Sequence, residues 1–574
     1  MTRYVPIAGW LPRYDRRRLG ADALAGLSVW ALLVPQSLAY ATLAGVPVQY
    51  GLYTAFAALL AYPLFGTSRH LVEGPSAAVC AVCAAVIAPL AGAAAMGSAK
   101  AAPFAAALAL LTGAVYVALG LLRMGWVSTF LSKAVMAGFV LGFSIGIIID
   151  QTHTLLGVTA PTDSYVEELW GTIKAVPDTS LVTLAVGGGS LALLLLLRFT
   201  LPKWPRALIV MALAILAVDL LDLGSHGVAI TGDIPTGLFS VGIPDIAASD
   251  VGPLLVGALA VIFVGYSESL AAARAMAAKK GYEIDTNQEL IAQGMSCGTA
   301  GLVGGFPVDG SLSKTSVAEA AGQQSQMASL INAVFVLLTL LFLAAVFEQL
   351  PTATLGAVVI DAMVGLVTFA QMRRYYTVSG SDFVFFAGAM VGILVFGIIA
   401  GILIGVVLSL LLLIARSSQT SVRPLGREPS SGVYHALEDK PGLETTPGVL
   451  VVRINGPLFF ADADRFRTRV RELAGQDRLP ARVVVDAESV HLTDTDGADI
   501  LIQVAEELRA HGTSLVLAHV HPASLELWRR AGVVDAIGEG EVYESVADAV
   551  NAGATRSSAS DDPARGDARY PSVS

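Results

Sequence analysis

The sequence predicts a polytopic α-helical membrane protein of 14 transmembrane segments, built as a seven-plus-seven inverted repeat, with a small α/β domain behind it. Three observations carry that expectation. Of the 574 residues, 55% are hydrophobic and only 14% charged, where soluble domains carry about 25% charged residues. The polar residues are not spread evenly, since residues 20–416 are apolar and residues 417–574 are polar and charged. The apolar part also resolves into stretches of membrane-crossing length. Four regions follow: a transmembrane domain over 1–416, a Pro- and Gly-bearing linker over 417–445, the α/β domain over 446–552 and a disordered tail over 553–574.

The N-terminus, "MTRYVPIAGWLPRYDRRRLGADALAG", has no apolar core ahead of its arginine cluster and no small-residue cleavage site after it. No cleavable signal peptide is expected there. The net charge of -10 and the lack of a basic block exclude nucleic acid as a partner. Cys80 and Cys83 form a CxxC in "AAVCAVCAAV" with no His or Cys partner nearby in sequence. Helix packing accounts for them better than a metal site, and no metal or other cofactor is expected.

The apolar stretches fall near residues 22–42, 50–66, 74–94, 101–122, 131–150, 178–199, 205–222, 251–273, 288–304, 311–325, 327–347, 351–369, 383–398 and 400–416. Loop charges check the count. With Arg13, Arg16, Arg17 and Arg18 in the cytoplasm, inner loops carry Arg69, Arg123, Lys133, Arg198, Lys203, Arg206, Arg274, Lys279, Lys280, Arg373 and Arg374. Outer loops carry only Lys100 and Lys174. The asymmetry obeys the positive-inside rule and places both termini in the cytoplasm, with the bundle in the inner (plasma) membrane and lipid around it.

The halves match where they are polar. "QSLAYA" at Gln36–Ala41 matches "ESLAAA" at Glu268–Ala273, and "VEG" at Val72–Gly74 matches "VDG" at Val308–Gly310. The pairs 36/268 and 72/308 lie at nearly one offset, so the chain contains an internal repeat. Seven segments is an odd number. The second half therefore enters the membrane from the opposite side, as in many secondary transporters.

"HLVEGPSAAV" and "PVDGSLSKTSV" occupy matching places in the halves, and each reads as an extended piece leading into a helix that starts inside the membrane. Two such N-termini offer free N–H groups and positive dipole ends to an anion. Ser76, Ser311 and Ser313 add hydroxyls, and Lys314 adds a charge that costs roughly 2.5–3.5 kcal/mol to insert. Lys314 could instead snorkel to an interface; the repeat favours the site. Glu268, at the position matching Gln36, reads as a carboxylate carrying a proton or binding a cation beside the anion, with a structural pair to Arg274 as the competing reading. Tyr40, one turn beyond Gln36, could line the same cavity.

Behind the linker, "GVLVVRI", "ARVVVDAE" and "TSLVLAHV" read as strands and the stretches between and after them as helices. No GxGxxG, P-loop or triad motif is present, so the chain is not expected to be an enzyme.

"ADALAGLSVWALLVPQSLAYATLAGVPVQYGLY", "GTSRHLVEGPSAAV", "GFPVDGSLSKTSV" and "GPLFFADADRF" together resemble the SulP anion transporters, the solute carrier 26 group, over about Leu19–Val550. The resemblance implies a core and a gate domain, a cytoplasmic STAS domain over 446–552, a homodimer, and an anion held between helices that begin near Gly74 and Gly310. Carried over by motif, substrate-binding positions fall on Gln36, Tyr40, Ser76, Ala77, Gly310, Ser311, Leu312, Ser313 and Lys314, and the coupling-ion position on Glu268. The position of Lys314 is commonly arginine in the family; lysine keeps the charge and loses the bidentate fork. The position of Glu268 is aspartate in the sodium-coupled bicarbonate branch, and glutamate points to a proton rather than sodium. A phosphorylatable D-S/T-x-G turn of STAS domains reads here Asp494-Thr495-Asp496-Gly497, which makes Thr495 a regulatory candidate. The expected function is secondary active transport of a small anion by alternating access, as proton symport or anion exchange. Sulfate is the first expectation, then bicarbonate or a dicarboxylate. A membrane-anchored anion sensor and a nucleobase permease are the alternatives.

Overall fold

The computed structural model describes residues 4–557 apart from 93–94, 127–131, 159–164, 202–203, 233–238, 368, 418–420 and 476–478. Two compact units divide the chain, Met1–Leu410 and Leu411–Ser574. In the first, α1 (Leu19–Leu43) and α2 (Gln49–Phe65) precede the two-residue strand β1 (Glu73–Gly74). Then come α3 (Ala77–Ala91), α4 (Ala102–Leu121), α5 (Lys133–Leu156), α6 (Tyr165–Ala175), α7 (Leu181–Thr200) and α8 (Arg206–Leu221). The second half runs through α9 (Ala248–Lys280), α10 (Thr286–Leu302), β2 (Asp309–Gly310), α11 (Leu312–Ala320), α12 (Met327–Leu338), α13 (Thr352–Leu366), α14 (Phe369–Val378) and α15 (Gly380–Ser417).

Every expected segment has a helical counterpart. The two C-terminal ones lie within α15, which breaks at Gly397, where φ is 81°; a side chain there would be strained, so glycine marks the joint. The short helices α6 and α14 were not expected. Both lie in connections, where their polar content hides them from a search for long apolar runs. Among the described residues, 8 helices are long and apolar enough to cross a bilayer unaided. The shorter ones include α3 and α11, which start from the strands rather than from a membrane face.

The helices α1–α4 pack with α9–α12, and α5, α7 and α8 pack with α13. Small residues set the closest approaches in each group. A Cβ on Gly113 of α4 would stand 2.7 Å from the Gly294 carbonyl oxygen of α10. On Gly138 of α5 it would stand 2.0 Å from the Phe386 carbonyl oxygen of α15. Lipid supplies no hydrophobic drive between helices, so such backbone contacts do the packing.

The second unit is a six-stranded sheet: β3 (Ser421–Arg427), β4 (Tyr434–Ala436), β5 (Val449–Asn455), β6 (Arg482–Asp486), β7 (Ser514–Ala518) and β8 (Val542–Tyr543), in the order β4-β3-β5-β6-β7-β8. The strands β5 to β8 are parallel, and β3 runs antiparallel to β5. One face is covered by α16 (Ala463–Ala474), α17 (Thr495–Ala510), α18 (Pro522–Arg530) and α19 (Val533–Ile537), with Phe466, Leu501 and Trp528 in its core. The other carries α20 (Val546–Ser557) over Val451, Val484 and Val516. Valine-rich runs suit strands buried on both faces.

Two expected boundaries are corrected. Residues 417–445 are not a plain linker, because β3 pairs Val422 with Ile454 and β4 pairs with β3. The prolines and glycines that suggested a linker sit on an edge pair, where a missing N–H is tolerated. The disordered tail expected over 553–574 overlaps α20, which runs to Ser557; residues 558–574 lie outside the described residues, as does Lys203.

Candidate functional site

The strands β1 and β2 cross antiparallel, pairing Glu73 with Gly310 and Gly74 with Asp309. Each hands the chain directly to a helix, β1 to α3 and β2 to α11. The two halves thus meet inside the first unit, with two helix N-termini side by side. Glycine is required at the crossing. Gly74 has φ +156°, and a Cβ on Gly310 would stand 2.7 Å from the Leu71 side chain and 2.9 Å from Glu73 Oε1.

Around that crossing the side chains are polar and buried. Ser76 is the N-cap of α3, its hydroxyl accepting from the Val79 N–H at 3.4 Å, and Ala77 follows it, also buried. Ser311 is the N-cap residue of α11 but caps nothing; its hydroxyl meets that of Ser313 at 2.9 Å. The Gly310 N–H donates to Ser269 Oγ at 2.7 Å, and the Val72 N–H to Thr315 Oγ1 at 3.0 Å. Lys314 is 1% exposed and its Nζ donates to the Pro75 carbonyl at 2.8 Å. The ammonium does not snorkel to an interface.

Lys314 lies within electrostatic reach of three buried or half-buried acids, without an ion pair to any of them inside 4.0 Å among the described residues. Asp309, Glu73 and Glu268 are its acidic neighbours. Gln293 Nε2 donates to Glu73 Oε1, while Glu73 Oε2 and both Asp309 oxygens are buried without a hydrogen bond among the described residues. Glu268 is half-buried on α9 and faces Asp309 and Lys314. Arg274 is exposed and forms no ion pair with Glu268 among the described residues. The acids Glu73 and Asp309 were missed as site residues. The repeated "VEG" and "VDG" were the available signal, since a carboxylate next to each crossing glycine is expensive in lipid.

The other expected residues distribute unevenly. Tyr40 is buried in α1, with Cys80, Glu268 and Asp309 among its neighbours. Gln36 is half-buried one turn earlier and makes no side-chain hydrogen bond among the described residues. Leu312 and Ser313, at the start of α11, are exposed. Thr495 belongs to the second unit, exposed in the first turn of α17, where Asp494 Oδ1 accepts from the Gly497 N–H at 2.8 Å. Cys80 and Cys83 are buried free thiols on α3.

An inverted pair of half-helices meeting over a buried polar cluster defines a membrane transporter of the broken-helix class. Comparison with known proteins is specific. Residues 19–389 match the sulfate permease family and residues 440–549 the STAS domain. A probable sulfate transporter of Mycobacterium tuberculosis is 34% identical over 554 residues, 95% of this chain and 98% of its own length. The structure of the murine solute carrier 26 family member A9 anion transporter in the inward-facing state superposes with a TM-score of 0.89 at 25% identity, covering 96% of this chain and 94% of that one. The transmembrane domain of a cyanobacterial bicarbonate transporter shares the fold at a TM-score of 0.59 and 23% identity, over 68% of this chain and 98% of that one. The chain belongs to the sulfate permease family, the SulP or solute carrier 26 group, whose members are anion transporters and not enzymes. Its 14 spans and C-terminal STAS domain are those of that fold.

Proposed function

We propose that the chain is a secondary active transporter of a small oxyanion, sulfate first and bicarbonate or a dicarboxylate after it, working by alternating access with proton coupling. The observation that carries this reading is the crossing of β1 and β2, which sets the N-termini of α3 and α11 side by side. About half a positive charge at each helix end favours an anion there. Leu312 and Ser313 are open to its approach, while Ser76, Ala77, Gly310 and Ser311 form the floor. The relative from Mycobacterium tuberculosis favours sulfate.

The acids around Lys314 support the coupling. Three carboxylates close to one ammonium titrate as a unit rather than singly. With all three ionised the cluster is negative and opposes an anion; a proton on Glu268 removes part of that opposition. Proton and anion then help each other to bind by linkage. Gln36 and Tyr40 line the α1 side. Thr495 is a phosphorylation point in an exposed turn, beside Asp494 and Asp496, where added charge favours rearrangement. The loop charges favour an inner-membrane protein with cytoplasmic termini, and the family resemblance favours a homodimer.

Uptake of labelled sulfate into proteoliposomes, with unlabelled sulfate, bicarbonate, chloride and fumarate as competitors, tests the reading. Saturable uptake driven by an inward proton gradient is expected. Saturable binding without flux would instead mark a sensor.

A further inference from the structure

Away from the crossing, the C-terminal end of α5 and the short helix α6 bring together Asp150, His153 and Glu168, one ligand atom of each lying within 4.8 Å of the others. The helix α6 faces the protein with its polar side. Glu168 and Thr172 are buried, whereas Val166, Leu169, Trp170 and Ile173 on the same helix are exposed. Apolar packing seats this helix only at its start, where the Tyr165 ring lies against Gly146 of α5. His153 Nδ1 and Glu168 Oε1 stand 3.3 Å apart, an ion pair when the imidazole is protonated, and neither atom has a further partner among the described residues. Glu168 is 3% exposed, so its free oxygen is a buried acceptor aimed at the imidazole and not at water. The Asp150 carboxylate accepts from Gln151 Nε2 at 2.7 Å.

Charge balance separates this cluster from its counterpart. In the second unit Asp486, Glu488 and His519 also converge. There Arg453 pairs with both acids, at 2.7 Å from Asp486 and 3.5 Å from Glu488, so the negative charge is met by protein. No described lysine or arginine pairs with Asp150 or Glu168 within 4.0 Å. One imidazole and two carboxylates with an unmet negative charge form a donor set for a divalent cation that accepts both nitrogen and oxygen.

We propose that Asp150, His153 and Glu168 bind a divalent cation of the zinc type, which staples α6 onto the end of α5. A hard cation such as Mg2+ would use the imidazole poorly. Half-exposed His153 gives the ion its entry, and the buried Glu168 closes the site from within.

The test uses the full-length chain, free of any affinity tag, in detergent micelles titrated with ZnCl2 against a chromophoric chelator. One saturable Zn2+ per chain is expected, with a rise in the thermal unfolding midpoint that equal MgCl2 does not give. His153→Ala and Glu168→Gln should each weaken Zn2+ binding at least about tenfold, as loss of even an outer partner of a metal ligand does. His519→Ala should leave it unchanged. The proposal falls if the wild-type chain takes up no Zn2+ saturably, if the ion is lost in His519→Ala, or if it is retained at full affinity in either first-unit variant. Should one of those variants fail to fold, the other decides.

Discussion

The two arms of the crossing make the same backbone manoeuvre from opposite sides, β1 into α3 and β2 into α11, and then part company in chemistry. After β1 comes a 15-residue helix of almost wholly apolar residues whose N-cap Ser76 binds its own first turn. After β2 comes a nine-residue helix that contains Lys314, Thr315 and Ser316, whose N-cap Ser311 leaves its first turn uncapped, and whose leading residues Leu312 and Ser313 are exposed. One arm is closed on itself and serves as an anchor. The other keeps its free N–H groups and a hydroxyl for something else. The two helix ends occupy matching places in the halves; in the proposed site both offer a dipole end to the anion, and the α11 end alone adds an uncapped first turn and exposed leading residues.

The largest effect should come from filling the gap on the α11 arm. Ser311→Trp is expected to lower uptake by at least about 100-fold, or about 2.7 kcal/mol, while the purified protein keeps a monodisperse elution profile. Ala77→Trp should also lower uptake, and in addition lower the unfolding midpoint, because Ala77 belongs to the buried core that α3 packs into. If Ser311→Trp transports normally, the arms are not different in the way described.

Next comes Glu268→Gln, which fixes the neutral form. It should keep counterflow exchange and lose accumulation driven by a proton gradient, read as labelled sulfate uptake with and without an imposed pH difference. A variant that still concentrates the anion would leave coupling to Asp309 or Glu73. Lys314→Ala should weaken anion binding about tenfold, or about 1.4 kcal/mol, with Lys314→Arg restoring most of it. Unchanged binding in Lys314→Ala would mean that the ammonium only balances Glu73, Glu268 and Asp309.

The smallest effects should discriminate the caps. Ser76→Ala removes an N-cap bond and should cost about 1 kcal/mol of stability, seen as a lower unfolding midpoint. Ser311→Ala removes none and should leave the midpoint unchanged while altering the apparent anion affinity. Equal losses of stability in the two variants would erase the distinction. As a control outside the arms, deletion of residues 418–574 should reduce rate or abundance and leave the order of competing anions unchanged. The cut belongs there and not at 446, because β3 and β4 are strands of the second unit's sheet.

The sequence by itself determined the number of spans, the inverted repeat and the polar stretches to watch, because in lipid each of these has a local cost that composition displays. It also pointed to Gly74 and Gly310, where φ is +156° at the first and the second leaves no room for a Cβ. It misread 417–445, where edge strands with Pro and Gly look like a linker, and it passed over α6, whose polar face turns inward. What only the tertiary structure decided was partnership. Lys314 reads in sequence as a lone cation, and folding gives it the Pro75 carbonyl and three acids drawn from Glu73, Glu268 and Asp309. Glu73, Pro75 and Glu268 lie far along the chain from Lys314, and the charges of the two arms add only once β1 and β2 cross. Coulomb energy depends on distance in space, which no local pattern records.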